Sequence, residues 1–200
     1  MTDIFSNAAF GTVATTQSGV KSAATPQAAM TAPRTDLIDC AELFYFAYRD
    51  FTCDPDAILA QYGFGRAHHR VLHFVHRHPG LKVAELLDIL KITKQSLARV
   101  LKQLVDESFI IQRAGDADRR ERRLYLSAKG SRLTDKLTDI QIRRLQTALA
   151  DIGPGGDTLA QKFLFAMIAE EDRPHVEALL KSARRGADGT PSEASPGEAE

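Results

Sequence analysis

Residues 83–126 read VAELLDILKITKQSLARVLKQLVDESFIIQRAGDADRRERRLYL, and the order of patterns in this stretch decides the fold. Val83, Leu86, Leu87 and Leu90 have helical spacing over a short segment. Thr93 stands where an N-cap belongs. Leu97, Val100, Leu101, Leu104 and Val105 then fall at i, i+3, i+4, i+7 and i+8, a full core stripe. Two helices this close in sequence form a helix-turn-helix. Behind them, Phe109-Ile110-Ile111 and Leu124-Tyr125-Leu126 read as short strands around a charged tip, Gly115 to Glu121. Helix, helix and hairpin in this order make a winged helix-turn-helix.

Working outward, Leu37, Ile38, Ala41, Leu43, Phe44, Ala47, Tyr48 and Phe51 are helically spaced, with apolar excess on more than one side. A helix covered so widely is expected to pack between subunits. Asp54-Pro55 reads as an N-cap with proline at the first helical position, which predicts a separate short helix to Tyr62. A third helix is expected from Arg66 to His78, ending at Pro79-Gly80. Downstream, an amphipathic helix is expected over 128–150. A Gly153-Pro154-Gly155-Gly156 break follows, then a helical region to Ser182 that is interrupted before Pro174. Residues 1–35 and 184–200 are small, polar and aperiodic, so they are expected to be a disordered arm and a disordered acidic tail.

The fold class is therefore mainly α, a winged helix-turn-helix domain embedded in a helical dimerisation scaffold over residues 36–183. The DNA-binding lobe is expected at about 66–130, with dimerisation helices at about 36–62 and 128–183.

Lys and Arg total 26 and Asp and Glu total 26, so net charge says nothing about a polyanionic partner. Its distribution does. From Lys91 to Arg132 the chain has eleven basic residues against five acids, a local basic footprint. Two cysteines, Cys40 and Cys53, are too few for a disulfide framework, so a reducing cytoplasm is the expected setting. No apolar run approaches the roughly 20 residues a membrane span needs, and no basic segment followed by an apolar one marks a secretory signal. No membrane partner is expected.

Opposite its core stripe, the second helix of the pair presents Lys94, Gln95, Ser96, Arg99 and Lys102, with Thr93 at its start. A helix fits the major groove and reaches base edges with its N-terminal residues. Gln95 can pair with adenine and Arg99 with guanine. Lys94, Ser96 and Lys102 suit phosphates, where contacts set register. An ordinary solvated face also carries such residues, but the hairpin tilts the choice. Arg119, Arg120, Arg122 and Arg123 crowd a short turn, where they would repel one another in a purely structural role. An arginine-tipped wing suits the narrow minor groove, whose negative potential attracts arginine.

The run Asp118-Arg119-Arg120-Glu121-Arg122-Arg123-Leu124-Tyr125-Leu126-Ser127-Ala128-Lys129-Gly130 resembles the wing signature of MarR-type regulators. Arg70-Val71-Leu72, His78-Pro79-Gly80, Val83-Ala84-Glu85-Leu86-Leu87 and Thr93-Lys94-Gln95-Ser96 fit that family in order and spacing, over about residues 36–183. The resemblance implies a homodimer with interlocked first and last helices, bound to a pseudo-palindromic operator. It also implies a repressor released by a small ligand, an oxidant or a metal. Gln95, Ser96 and Arg99 take the family's recognition positions, and Arg119 and Arg120 its wing-tip positions. The long N-terminal arm, the acidic tail and a histidine-rich third helix depart from common members.

Five of the six histidines lie between residues 68 and 78. His69, His73 and His76 share one helical face and could bind Zn²⁺ or contact haem. Arg66, Arg70 and Arg77 flank that face and disfavour a cation, so a polar, partly buried or interface role is expected instead and no cofactor is required. Cys40, in the first helix, is the candidate for redox sensing, with a buried structural cysteine as the plainer reading. There is no GxSxG, HExxH, CxxC or phosphate-binding glycine loop, so an enzyme is not expected. A pure protein-interaction dimer would explain the long helices but not the arginine wing.

Overall fold

The computed structural model describes residues 32–115 and 121–188. By internal contacts the chain divides into two compact units, Met1–Cys40 and Ala41–Glu200. Of the first, residues 32–40 are described. They carry the beginning of helix α1 (Arg34–Ala60), where the Leu37 N–H donates to the Pro33 carbonyl at 3.3 Å.

Helix α1 runs through Pro55 to Ala60, which corrects the expected separate helix from Asp54 to Tyr62. Proline removes the donor that would meet the Phe51 carbonyl, yet its ring is buried together with Thr52 and Leu59. The Thr52 hydroxyl lies 3.0 Å from both the Tyr48 and Arg49 carbonyls, so a side chain adds to the bonding of this turn. Burial of Pro55 offsets the lost backbone bond, and beyond Ala60 the chain turns away at Gly63, with φ +66°.

The lobe then forms in the expected order. Helix α2 spans Arg66–Arg77, α3 spans Val83–Leu90 and α4 spans Lys94–Asp106. The wing is strands β2 (Ile110–Ala114) and β3 (Arg122–Leu126). One strand escaped the sequence reading. β1, only Leu81–Lys82, pairs antiparallel with β3 in the order β1-β3-β2. Two residues are too few for an alternating pattern to be visible. The core fills from all of these elements, with Val71, Leu72, Leu86, Leu97, Leu104, Phe109, Leu124 and Leu137 almost fully buried. On α4 the predicted stripe is the buried face, with Val105 partly covered at its edge.

Helix α5 covers Ala128–Ile152, buries Leu133, Thr134 and Leu137 near its start, and then leaves the core. After the glycine break come α6 (Gly156–Ala166), a 3₁₀ turn at Glu170–Asp172 and α7 (Arg173–Asp188). The Arg173 side chain closes this interruption by donating to the carbonyls of Ile168 at 2.9 Å and Ala166 at 2.7 Å. Pro174 sits in the first turn of α7, where its missing N–H costs nothing. Helix α7 continues to Asp188, past the expected end at Ser182. No helix among the described residues is long and apolar enough to cross a membrane.

Candidate nucleic-acid interface

Thr93 caps α4 as expected. Its Oγ1 accepts from the Ser96 N–H at 3.1 Å and donates to Ser96 Oγ at 2.9 Å. That second bond leaves the Ser96 proton free for an outside acceptor such as a phosphate oxygen. Lys94, Gln95, Ser96, Arg99 and Lys102 are all exposed, because Leu97, Val100, Leu101 and Leu104 commit the opposite face to the core. Lys102 is held by Asp106 one turn on, a pair that a phosphate would have to displace. Gln103 lies on a third side of α4. Its amide oxygen accepts from His68 Nε2 at 2.9 Å, while His68 Nδ1 accepts the Gly65 N–H at 3.1 Å. One ring thus ties the start of α2 to the middle of α4, in the tautomer with its proton on Nε2.

The junction behind α4 is more tightly built than the sequence suggested. Ser108 has φ +61°, which turns the chain from α4 into the wing. Ser127 Oγ donates to the Ser108 carbonyl at 2.6 Å and accepts the Gly130 N–H at 3.0 Å, capping α5. Lys129 Nζ donates to the Glu107 carbonyl at 3.0 Å and sits 4.0 Å from the centre of the Phe109 ring. The Ser-Ala-Lys-Gly run is therefore a clasp joining the end of α4 to α5. Sequence reading treated it as a family signature and missed its contacts, because nothing local in the sequence marks Ser108 and Phe109 as partners.

In the wing, Arg122 is exposed and Arg123 half-buried. Arg113 crosses over the Tyr125 ring at 5.0 Å. The expected tip residues Arg119 and Arg120, with Asp116 and Asp118, lie outside the described residues.

A sequence profile of the MarR family matches residues 62–121. The HTH-type transcriptional regulator PetP of Rhodobacter capsulatus is 44% identical over 142 residues, covering 71% of this chain and 85% of PetP. This chain belongs to the MarR family. Among solved structures, a MarR family transcription regulator superposes with a TM-score of 0.56 at 15% identity, covering 78% of this chain and 95% of the other. A Staphylococcus aureus MepR–DNA complex gives 0.52 at 19% identity, covering 64% and 93%. At such identities the agreement concerns the fold. The protein is thus a MarR-type transcriptional regulator of winged-helix fold, a family of non-enzymatic DNA-binding proteins.

In this MarR protein the histidines of α2 differ in burial and in partners. His69 is 9% exposed, and burial, aided by Arg70, lowers its pKa against the opposing pull of Asp56. His73 is pushed down to about 4, first by burial and then by His69 and nearby cations. His76 instead turns toward Asp135 of α5, with Nδ1 3.6 Å from the carboxylate. Among the described residues no group of three His, Cys, Asp or Glu is placed to hold a metal ion. The sequence favours a polar, partly buried or interface role for His69, His73 and His76 over a metal site, and His69 and His73 are largely covered. Cys40 and Cys53 are both free thiols, exposed in the single chain.

His73 lines two cavities. One of about 390 Å³ lies between α2, α3 and α7, with Phe74, Ile89, Val176 and Leu179 as apolar walls and Arg77, Lys91 and His175 at its edges. The other, about 230 Å³, lies between α1, α2 and α5 and is lined by Tyr48, Phe51, Arg66, His69 and Arg70. Tyr48 is fixed there by Arg70, which donates to its hydroxyl at 3.0 Å.

Proposed function

We propose that this regulator binds a pseudo-palindromic operator as a homodimer, with the two α4 helices in successive major grooves. In this reading Gln95 and Arg99 contact bases, and Thr93, Lys94, Ser96 and Lys102 set the register on phosphates. Arg119, Arg120 and Arg122 serve the minor groove. The observation that carries the reading is the division of α4, with one face locked into the core and the other presenting Gln95 and Arg99 to solvent. The dimer is supported by large apolar side chains left in solvent. Leu43, Phe44, Tyr45 and Phe46 follow one another on α1, and Leu159, Phe163 and Leu164 lie on α6. Patches of this kind mark interaction surfaces.

The regulator acts as a repressor whose grip is released by a small organic effector. The cavity between α2, α3 and α7 has a volume in the range of small-molecule sites and joins the lobe to the C-terminal helices. An occupant there would favour one lobe spacing over another, and both α4 helices could no longer seat at once. Selecting bound duplexes from a genomic pool, then measuring stoichiometry and salt dependence on the winner, tests the DNA reading. Two chains per duplex and loss of affinity with salt are expected. A protein that enriches no sequence and shifts no duplex at low salt is not this regulator.

A further inference from the structure

We infer that Glu121 is the positioning residue of the wing, acting as the shared counter-ion for Lys82 and Arg123, two of three cations that stand in a row across the sheet. This rests on the DNA-binding reading above.

The row follows from strand register. Lys82 of β1 stands opposite Arg123 of β3, and Arg123 stands opposite Arg113 of β2. Residues directly opposite in antiparallel strands point to the same face, and like charges so placed destabilise the pairing. The conflict is acute for β1, whose register consists of Leu81↔Leu124 and Lys82↔Arg123. Half of this strand's pairing is therefore a cation against a cation.

Two contacts resolve the conflict. Arg113 lies over the Tyr125 ring, a contact that compensates its own charge. Glu121 lies two residues before Arg123 and so points to the same face. Its Oε1 accepts from Lys82 Nζ at 2.6 Å, and its Oε2 lies 3.6 Å from Arg123 Nη2. Each carboxylate oxygen thus serves a different cation. The groups are only partly exposed, 38% for Lys82 and 30% for Glu121, so water screens them incompletely. Arg123 Nε is buried without a hydrogen-bond partner among the described residues, which makes its guanidinium depend on that carboxylate. The Glu121 carbonyl also accepts the Gly115 N–H at 3.1 Å, closing the far end of the hairpin stem.

Lys82 is also the residue that enters α3, with its N–H held by Glu85 at 2.8 Å. Through Lys82, Glu121 fastens the returning strand of the wing to the first helix of the helix-turn-helix. The wing and α4 must meet one duplex together, so the angle between them matters for affinity.

Charge counting predicts the opposite effect. An acid beside a DNA-facing wing repels phosphate, and its removal should tighten binding. The positioning role predicts that Glu121→Gln weakens binding.

The test compares full-length wild type, Glu121→Gln and Glu121→Asp on an operator duplex taken from a selected pool, at several salt concentrations. Alongside it, amide hydrogen exchange over Arg122–Leu126 is followed without DNA. Glu121→Gln should keep its melting temperature near wild type and exchange faster in β3. It should bind about fivefold more weakly, the factor matching the upper end of a partly exposed ion pair. Its salt dependence should be shallower, since wing arginines disengage. Glu121→Asp should recover part of the loss. Equal or tighter binding by Glu121→Gln, or unchanged exchange in β3, overturns the inference. If wild type itself shifts no duplex, the DNA-binding reading fails instead, and the exchange rates still decide whether Glu121 holds the wing.

Discussion

The carbonyl oxygen of Phe109 occupies the space where a side chain on Gly130 would begin. A Cβ built on Gly130 meets that oxygen far inside any permitted contact, and the Leu126 side chain closes the other side. Gly130 is in the first turn of α5, and Phe109 joins α4 to β2. The glycine is there for close approach rather than for backbone freedom. Gly130→Ala must push the end of α4 from the start of α5, and overpacking of this kind costs about 1–3 kcal/mol. A urea midpoint lowered to that extent is expected, with weaker DNA binding because the wing base moves relative to α4. An unchanged midpoint would mean that the junction can open without cost.

Base reading and phosphate contact should separate by mutation. Arg99→Ala is expected to cost about 1–3 kcal/mol and to relax preference at one position in each half-site. Changing Arg119 and Arg120 together to Ala should weaken binding to all sequences and flatten its salt dependence. Competition titrations against operator variants check both. Loss of base preference from the wing pair alone would contradict the division of labour between helix and wing.

Stability should fall as the solution is acidified, with His73 as a named contributor. Its folded-state pKa of about 4 lies below the ordinary 6.5, because burial disfavours the imidazolium. Between those values the unfolded chain binds a proton that the folded chain refuses, so stability rises with pH. The contribution is complete above about pH 6.5 and is lost as pH falls toward 4. It is about 3 kcal/mol over the whole window. His69 and His78 are shifted in the same direction and add to the slope. Denaturant midpoints at pH 7 and pH 5 should therefore converge in His73→Gln relative to wild type. Equal pH slopes in the two proteins would remove His73 from the account.

The helix-turn-helix was legible because its signals are local and mutually consistent. Thr93 caps, the Leu97 to Leu104 stripe buries, and His78-Pro79-Gly80 terminates within a residue or two of the observed ends. What escaped was set by distant partners. Pro55 reads as a helix start from its neighbours alone, and only burial beside Leu59 lets α1 pass through it. The strand Leu81–Lys82 exists because β3 lies alongside, not because its two residues favour it. Among the site residues, the exposed face of α4 followed from periodicity. The Ser127 clasp and the Glu121 carboxylate depend on pairings that span many residues of chain, and a sequence without coordinates does not carry them.

The apolar run Leu43-Phe44-Tyr45-Phe46 provides the sharpest test of assembly. Four consecutive residues point most of the way around a helix, and all four are exposed, as are Leu159, Phe163 and Leu164 on α6. A helix that is apolar on several sides is stable in water only when surrounded, so a second chain is the expected cover. Phe44→Glu combined with Phe163→Glu should convert a dimer to a monomer in sedimentation equilibrium. The folded lobe should survive, since its core residues are elsewhere. Operator affinity should then fall by about 10²-fold or more, because two half-sites no longer share one ligand. Far-UV circular dichroism separates this outcome from unfolding. A variant that remains dimeric at micromolar concentration would move the interface off these two helices.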